Sequence, residues 1–191
     1  HNSEFSFNCG FEGPTEDEEI IEIRRRKIRL MHFLLQVSNG IPMLAAGDEM
    51  GRTQKGNNNA YCHDSPMTWI DWSLANKNVE LVEFVCSLTC FRKNNFAFLF
   101  SSESEYRWYN ALGEDENLDN FVRTLHWEVK NPKYPGQQYR FLLNCFERPL
   151  AFLNQPEFSW KLHHDSFEDQ LRRFIFEKPG SAWLERFSAK G

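Results

Sequence analysis

Residues 40–49 read Gly-Ile-Pro-Met-Leu-Ala-Ala-Gly-Asp-Glu, and residues 56–64 read Gly-Asn-Asn-Asn-Ala-Tyr-Cys-His-Asp. The run at 41–46 is short, apolar and flanked by glycines, which is typical of a strand buried on both faces of a parallel sheet. Functional groups of such folds gather in the loops beyond the carboxyl ends of the strands. We therefore predict a buried strand that delivers the polar loop 47–64 to a ligand-binding face.

A long amphipathic helix is predicted before this strand. Thr15 and Glu18 have the spacing of a capping box, and an apolar stripe then continues to about Val37. The stripe consists of Ile21, Ile28, Met31 and Leu35. The five cations within 24–29 could bind phosphate, but acidic residues one turn earlier favour ion pairs along the helix. Residues 38–40, Ser-Asn-Gly, should end the helix.

A second helix is predicted at residues 79–93, with Ser73 or Asn76 as its cap. Its apolar side consists of Leu81, Phe84, Val85, Leu88 and Phe91. The stretch 69–72, Trp-Ile-Asp-Trp, could present tryptophans to a ligand, but buried anchoring of the loop is the favoured interpretation. Cys86 and Cys90 have a spacing seen in metal sites, but no second ligand pair accompanies them, so we interpret them as small buried side chains.

Short aromatic runs separated by turn signals follow from residue 95, which indicates an antiparallel β-sandwich. The predicted strands are 96–100, 106–109, 121–129, 139–145, 150–153, 158–162, 172–176 and 182–187. Residues 112–119 are predicted to form a mobile loop and 131–136 a tight turn. The run 163–165, His-His-Asp, resembles a metal cluster, but neighbouring strand residues point apart, which favours exposed polar side chains.

The bulk composition limits the partners and the size of the fold. The 191 residues include 18 phenylalanines and can bury one sizeable core or two small ones, whereas a complete (β/α)₈ barrel needs about 250 residues. The net charge of −5 gives no electrostatic reason to expect binding to nucleic acid or to an anionic membrane, both of which call for basic patches. Five cysteines, an odd number, suit a reducing compartment. No signal peptide and no 18-residue apolar run is found, and the chain opens on His1, so part of its N-terminus is expected to be missing.

Residues 40–72 resemble the glycogen debranching enzyme and isoamylase group of the alpha-amylase superfamily. The likeness rests on 40–49 as quoted, on 51–62, Gly-Arg-Thr-Gln-Lys-Gly-Asn-Asn-Asn-Ala-Tyr-Cys, and on 69–72. It extends upstream through Phe-Asn-Cys-Gly at 7–10, Glu-Gly-Pro-Thr at 12–15 and the arginines at 24–26. Beyond residue 100 it rests mainly on Tyr-Arg-Trp-Tyr-Asn at 106–110.

The resemblance implies a fold of the class α/β plus β. Residues 1–98 would be the last elements of a catalytic (β/α)₈ barrel, and 99–191 a C-terminal antiparallel β-sandwich domain. Within the first domain, residues 1–13 are interpreted as a packed connector rather than a substrate-facing edge. The resemblance further implies that the complete enzyme is a retaining α-1,6-glucosidase of glycogen or starch, with an aspartate nucleophile, a glutamate acid/base, and no cofactor or metal.

The catalytic carboxylates of that family lie upstream of the segment that resembles residues 1–13. The resemblance therefore implies no catalytic residue in this chain, and the chain alone is predicted to be inactive. Asp48 and Glu49 are poor replacements, because adjacent residues of an extended chain point to opposite faces and cannot flank one glycosidic bond. One of these carboxylates is instead expected to anchor the loop through backbone or arginine hydrogen bonds.

The loop after the predicted strand contains the candidate ligand-binding side chains. Asparagine amides can pair with vicinal sugar hydroxyls and Tyr61 can lie against a pyranose ring, although composition alone favours a plain turn. The resemblance reverses this preference, because the corresponding loop of that family borders the substrate cleft. The predicted substrate-binding residues are Arg52, Asn57, Asn58, Asn59, Tyr61 and Asp64.

The implied partners are an α-glucan, such as glycogen, starch or limit dextrin, and the missing N-terminal part of the barrel. The expected location is the cytoplasm, or the plastid in a plant or alga. The alternative is a non-catalytic glucan-binding or scaffolding subunit related to debranching enzymes. In either case, barrel elements without their neighbours should expose an apolar patch and self-associate.

Overall fold

The computed structural model describes residues 8–57, 59–109, 124–144 and 182–188. These ranges contain the helices α1 (Glu18–Val37), α2 (Ser73–Lys77), α3 (Val79–Asn94) and α4 (Phe96–Leu99), and a short 3-10 helix at Asp48–Met50. They also contain the strands β1 (Glu105–Tyr109), β2 (Thr124–Lys130), β3 (Gln137–Asn144) and β4 (Ala182–Ser188). The chain divides into two compact units, His1–Leu88 and Thr89–Gly191. The assignment of 1–98 to a barrel and 99–191 to a sandwich stays a prediction.

The predicted long helix is confirmed as α1, but its first turn differs from the prediction. Asp17 rather than Thr15 is the N-cap, and its carboxylate accepts hydrogen bonds from the N–H groups of Glu19 at 2.9 Å and Ile20 at 3.3 Å. Thr15 Oγ1 instead accepts from the N–H of Asp17 at 3.1 Å. A carboxylate is the stronger acceptor at the positive end of a helix, so the predicted capping box is wrong.

The buried face of α1 is also not the predicted stripe. Its buried residues are His32, Phe33, Gln36 and Val37, whereas Ile28 and Met31 of the predicted stripe are 39% and 66% exposed. His32 Nε2 lies 3.2 Å from the carbonyl oxygen of Asp48, so the buried face meets the 3-10 helix. Burial follows the face that meets the 3-10 helix, whereas Met31 of the more apolar stripe lies mostly in solvent.

The second predicted helix is confirmed as α3, which buries Phe84, Val85, Leu88 and Phe91. Ser73 does not cap it, because Ser73 begins the separate helix α2, where its N–H donates to Asp71 at 3.0 Å. Cys86 and Cys90 are exposed rather than buried. Their helical spacing places them off the face that carries the buried apolar residues. No described helix of this chain is both long enough and apolar enough to traverse a bilayer.

Residues 41–46 do not form the predicted buried strand. The segment is irregular, and Ile41 and Met43 are 92% and 85% exposed. A strand needs a neighbour to pair its backbone N–H and C=O groups, and no described strand lies beside this one. The apolar surface expected for barrel elements without partners is therefore present, whereas self-association stays a prediction.

The ion pairing predicted along α1 is found at Arg26. Arg26 pairs with Glu22 one turn earlier at 3.0 Å. Arg24 instead donates to the backbone carbonyls of Asn8, Phe11 and Gly13, the last at 2.7 Å. These bonds tie residues 8–13 to the helix, but most of these residues are exposed, so their interpretation as a packed connector stays a prediction.

The C-terminal unit contains a four-stranded antiparallel sheet with the order β1-β2-β3-β4. Its strands overlap the predicted runs 106–109, 121–129, 139–145 and 182–187. The predicted tight turn at 131–136 is confirmed, with the N–H of Tyr134 donating to the carbonyl of Asn131 at 2.9 Å. The other predicted strands, the 112–119 loop and the 163–165 cluster lie outside the described residues. A second sheet, which a sandwich requires, stays a prediction.

The strand predicted at 96–100 is wrong, because Phe96–Leu99 forms the short helix α4. The side-chain amide of Asn131 donates to the carbonyls of Ala97 at 3.2 Å and Phe98 at 3.1 Å. A helix leaves its last carbonyls without intrahelical partners, and Asn131 satisfies two of them here. This long-range contact has no signal in the local sequence.

An aromatic layer forms one face of the sheet. Trp108, Trp127 and Phe141 are paired in register across the first three strands, and the rings of Trp127 and Phe141 stack with centroids 4.8 Å apart. Phe91 and Phe98 meet Tyr139 edge-on at 5.9 and 5.3 Å. Such ring pairs add about 0.5–1.5 kcal/mol each to the burial of their apolar area.

Glu128 is a buried carboxylate held by two cations. Lys130 Nζ and Arg140 Nε each lie 2.7 Å from one of its oxygens, and its side chain is 2% exposed. Burial by itself raises the pKa of Glu128, but the hydrogen bonds from Lys130 and Arg140 outweigh it and hold the pKa below the ordinary value of 4.5. Glu128 is therefore charged at neutral pH.

We expect this carboxylate to make the sheet acid-sensitive. Because its folded-state pKa lies below its unfolded value, the stabilisation is complete above about pH 4.5 and is lost as the pH falls through the folded-state pKa. Glu128→Gln should lower the free energy of unfolding at pH 7 by about 1.5–3 kcal/mol and weaken its acid dependence. Urea denaturation followed by tryptophan fluorescence measures both effects.

The matched control is Glu103→Gln, which removes a surface ion pair with Lys133 at 2.8 Å. This variant should cost at most about 1 kcal/mol. Equal losses in the two variants would contradict the role assigned to Glu128.

Candidate functional site

The candidate site is the segment 47–72, called the 47–72 loop, which opens with a tight turn. Gly47 and Gly51 flank the 3-10 helix with φ of 98° and 77°, the left-handed region that favours glycine. The carbonyl of Gly47 accepts hydrogen bonds from the N–H of Met50 at 3.1 Å and of Arg52 at 2.9 Å. The chain therefore reverses direction within six residues.

Glu49 anchors this turn as one of the two adjacent carboxylates was expected to do. Its Oε2 accepts a hydrogen bond from the N–H of Gly47 at 2.9 Å, whereas Asp48 is exposed. The two side chains thus have different surroundings, although they lie on a 3-10 helix and not on the extended chain that the prediction assumed. No group of three or more His, Cys, Asp or Glu side chains that could hold a metal ion occurs in the part of the chain that the structure describes.

Arg52 links the two ends of the loop. Its guanidinium donates to the carbonyl of Ala46 at 3.3 Å and to the carbonyl of Thr68 at 3.0 Å. Two carbonyls far apart in sequence are thereby held by one side chain, which we call the Arg52 brace. Its Nε is buried and has no hydrogen-bond partner among the described residues. The sequence analysis predicts that Arg52 contacts sugar, and nothing in the sequence indicates that it braces the loop.

The asparagines of the loop shape its backbone. Asn57 Oδ1 accepts from the N–H of Asn59 at 2.8 Å, and Asn59 Oδ1 accepts from the N–H of Tyr61 at 3.2 Å. These are the local side-chain turns that asparagine favours. Asn58 lies outside the described residues. Each amide oxygen is used internally, and within the described ranges the amide nitrogens of Asn57 and Asn59 donate to no other group.

The far side of the loop presents aromatic rings. Asp64 Oδ1 accepts a hydrogen bond from the indole N–H of Trp69 at 2.7 Å, which fixes the orientation of the ring. Tyr61, Trp69 and Trp72 are 83%, 57% and 71% exposed. The favoured interpretation of Trp69 and Trp72 as buried anchors is therefore wrong in this structure, because the loop contains polar partners for the indole but no apolar layer to cover it.

The connector at 8–13 adjoins the loop. Glu12 Oε1 lies 3.7 Å from the position that a Cβ atom would take on Gly56, and Asn8 Nδ2 donates to Glu12 Oε2 at 3.1 Å. Phe11 is 45% exposed. The loop therefore has a second segment of the chain along one side, held in place through Arg24 and α1.

Comparison with known proteins gives the context of this site. The chain is 54% identical over 122 residues to the "Glycogen operon protein GlgX homolog" of Mycobacterium tuberculosis, covering 64% of this chain and 16% of that protein. It is 40% identical over 170 residues to the "Glycogen debranching enzyme" of Dickeya chrysanthemi, covering 84% and 24%. The predicted resemblance to glycogen debranching enzymes is thus confirmed, and the chain spans about a quarter or less of the length of these curated relatives.

The fold is similar to part of a solved pullulanase. The structure of the enzyme from Paenibacillus barengoltzii in complex with maltohexaose and alpha-cyclodextrin matches with a TM-score of 0.59 at 19% identity, covering 89% of this chain and 26% of that one. The chain therefore shares the fold of a portion of this pullulanase. No protein-family model matches the chain.

We expect the turn at Gly47 to be essential for the loop. A Cβ atom there would lie 2.7 Å from Cδ and 2.9 Å from Cβ of Arg52, so Gly47→Ala should displace the Arg52 brace. The change should lower the free energy of unfolding of the N-terminal unit by more than about 1–3 kcal/mol, the usual cost of a strained backbone position alone. Chemical denaturation measures it.

Gly40→Ala is the matched control, because Gly40 has a φ of 111° and a Cβ atom there would meet nothing within 4 Å. The two variants share the backbone strain and differ in the contact with Arg52. Equal destabilisation would show that the brace contributes nothing.

Proposed function

We propose, from the relationship of this chain to a segment of the glycogen debranching enzymes, that it is the C-terminal part of an α-1,6-glucosidase. That enzyme would remove branches from glycogen or a related α-glucan, and the 47–72 loop would form one wall of its substrate cleft. The observation that carries the proposal is the loop itself, which exposes three aromatic rings and in which hydrogen bonds hold the side chains of Asn57, Asn59 and Trp69.

The chemistry of an α-glucan suits this surface. A pyranose ring has an apolar face and a rim of hydroxyl groups, so it pairs with an aromatic ring and with amide groups that carry no charge. Tyr61 would lie against a sugar ring, and the amide nitrogens of Asn57 and Asn59 would donate to hydroxyls. Asn58 stays in the proposed set by resemblance alone.

The other two predicted substrate-binding residues receive a different role. Arg52 is directed to two backbone carbonyls and Asp64 to the Trp69 indole. We assign both as positioning residues, which hold the loop rather than contact sugar. Trp69 and Trp72 would take their place as sugar-facing side chains, since both rings are mostly exposed.

The fold assignment belongs to the same proposal. The segment 41–46 would become the last barrel strand once the preceding strands supply hydrogen-bond partners. The exposed apolar side chains of Met31, Ile41 and Met43 support this, as does the buried and unpartnered Nε of Arg52 in the described structure. The sheet at β1–β4 would be one layer of the C-terminal sandwich.

A reducing location is part of the proposal as well. Cys9, Cys62, Cys86 and Cys90 are free thiols, and the cysteines of cytoplasmic proteins are usually free as well. The free thiols support the proposed cytoplasmic location of the enzyme. Direct localisation of the protein in the cell would test it.

The contact with glucan is tested by titrating maltohexaose into the 191-residue chain. Tyr61→Ala should weaken binding about two- to tenfold, which corresponds to ~0.5–1.5 kcal/mol for the loss of one ring contact. The control is Phe96→Ala, which removes a 54% exposed ring outside the loop and should leave the affinity unchanged. Loss of affinity in the control alone, or no binding by the unaltered chain, would refute the assigned surface.

The catalytic part of the proposal is tested by incubating the chain with glycogen. We expect no release of linear chains, because the nucleophile and the acid/base of the related enzymes are implied to lie upstream of residues 1–13. Hydrolysis by the chain alone would contradict this assignment and would direct attention to Asp48 and Glu49.

A further inference from the structure

A cavity of about 310 Å³ lies within the N-terminal unit, between α1 and the junction of α2 and α3. Arg25 and Arg29 of α1 and Lys77 of α2 contribute to its lining, and Glu80 of α3 is the carboxylate among the lining residues. Three cations and one anion give the lining a surplus of two positive charges. None of these residues belongs to the proposed glucan surface.

The cations of this cavity differ in how they are held. Arg29 donates to Glu80 at 3.4 Å and its guanidinium carbon lies 5.8 Å from the centre of the Phe84 ring, so its position is defined. The Glu80 side chain is 73% exposed, and solvent therefore screens this pair. Arg25 and Lys77 form no ion pair with any residue that the structure describes.

We propose that this cavity binds a phosphate group, either free or carried by a small phosphorylated sugar. The Arg25 guanidinium can donate two parallel hydrogen bonds to phosphate oxygens, and the Lys77 ammonium adds a second cationic donor. Arg29, which is bonded to Glu80, adds positive charge to the lining. The volume lies within the range of small-molecule sites. Ile28 and Val79, which also line the cavity, provide an apolar wall for a carbon skeleton.

A neutral glucan does not account for the charge surplus. Sugar hydroxyls pair with amides and carbonyls and gain nothing from a net positive lining, whereas a phosphate dianion neutralises the surplus of two charges. The cavity therefore differs from the proposed glucan surface in its chemistry, and it shares Gly51 with the 47–72 loop but none of the side chains assigned to sugar contact. Binding at the cavity and binding at the 47–72 loop can be measured independently.

The test is isothermal titration of the 191-residue chain with inorganic phosphate, a hexose phosphate and unphosphorylated glucose, at an ionic strength fixed with chloride. We expect one site for a phosphate-bearing probe and none for glucose. Arg25→Gln and Lys77→Gln should each weaken binding about tenfold or more, the effect of one charge-assisted hydrogen bond. A hexose phosphate that binds more tightly than phosphate identifies the ester as the ligand, and equal affinities identify the free anion.

Lys27→Gln is the matched control, because Lys27 is an exposed cation of the same helix that does not line the cavity. It removes the same charge and should change the affinity less than about twofold, since exposed charges at a distance are screened. Equal weakening in Lys27→Gln, or no binding of either phosphate-bearing probe, would overturn the proposal. Maltohexaose binding in the Arg25 and Lys77 variants should be unchanged, which separates this site from the proposed function.

Discussion

The hydrogen bonds from the Arg52 guanidinium to the carbonyls of Ala46 and Thr68 are the constraint on which the candidate site depends. One planar group, with donors on both terminal nitrogens, joins the carbonyl directly before the 47–72 loop to that of Thr68, which lies sixteen residues after Arg52. The turn at Gly47 is what allows the arginine stem to pass so close to the backbone. Glu49 closes the same turn from its other side.

The polar side chains of the loop fall into two groups. Those with oxygen acceptors are used to hold the backbone or a ring, as in Asn57, Asn59 and Asp64. The amide nitrogens of Asn57 and Asn59 donate to no other described group, and the rings of Tyr61, Trp69 and Trp72 are mostly exposed. A ligand that meets this surface finds the side chains of Asn57, Asn59 and Trp69 already held by hydrogen bonds, so less conformational entropy is lost on binding. Because some polar groups hold the backbone and others are available to a ligand, a segment with little regular secondary structure can serve as a binding wall.

The sequence predicted the features that depend on local pattern. The 3.6-residue period located α1 and α3, and the aromatic runs located β1–β4. It was wrong wherever a distant partner decides the outcome. The segment 41–46 has the composition of a strand but no described neighbour to pair with, and Phe96–Leu99 is a helix two of whose carbonyls are satisfied by Asn131, far along the chain.

The same distinction applies to the candidate site. The loop and its asparagines were predicted from residue types and from the family resemblance, both of which are local. The bracing role of Arg52 was not, because it depends on contacts with Ala46 and Thr68 that only the folded chain brings together. The exposure of Trp69 and Trp72 was not predicted either. One sequence signal was available: Asp64, five residues before Trp69, could have indicated that a carboxylate holds the indole N–H at the surface.

The most direct measurement of the central claim is a residue-resolved NMR titration of the chain with maltohexaose. We expect the largest shifts at the amide groups of Asn57 and Asn59, at the backbone of Tyr61 and at the Trp69 indole N–H, with the strands of the C-terminal sheet unchanged. Shifts confined to the sheet, or the absence of any shift at saturating glucan, would contradict the assignment of the 47–72 loop as a glucan-binding wall.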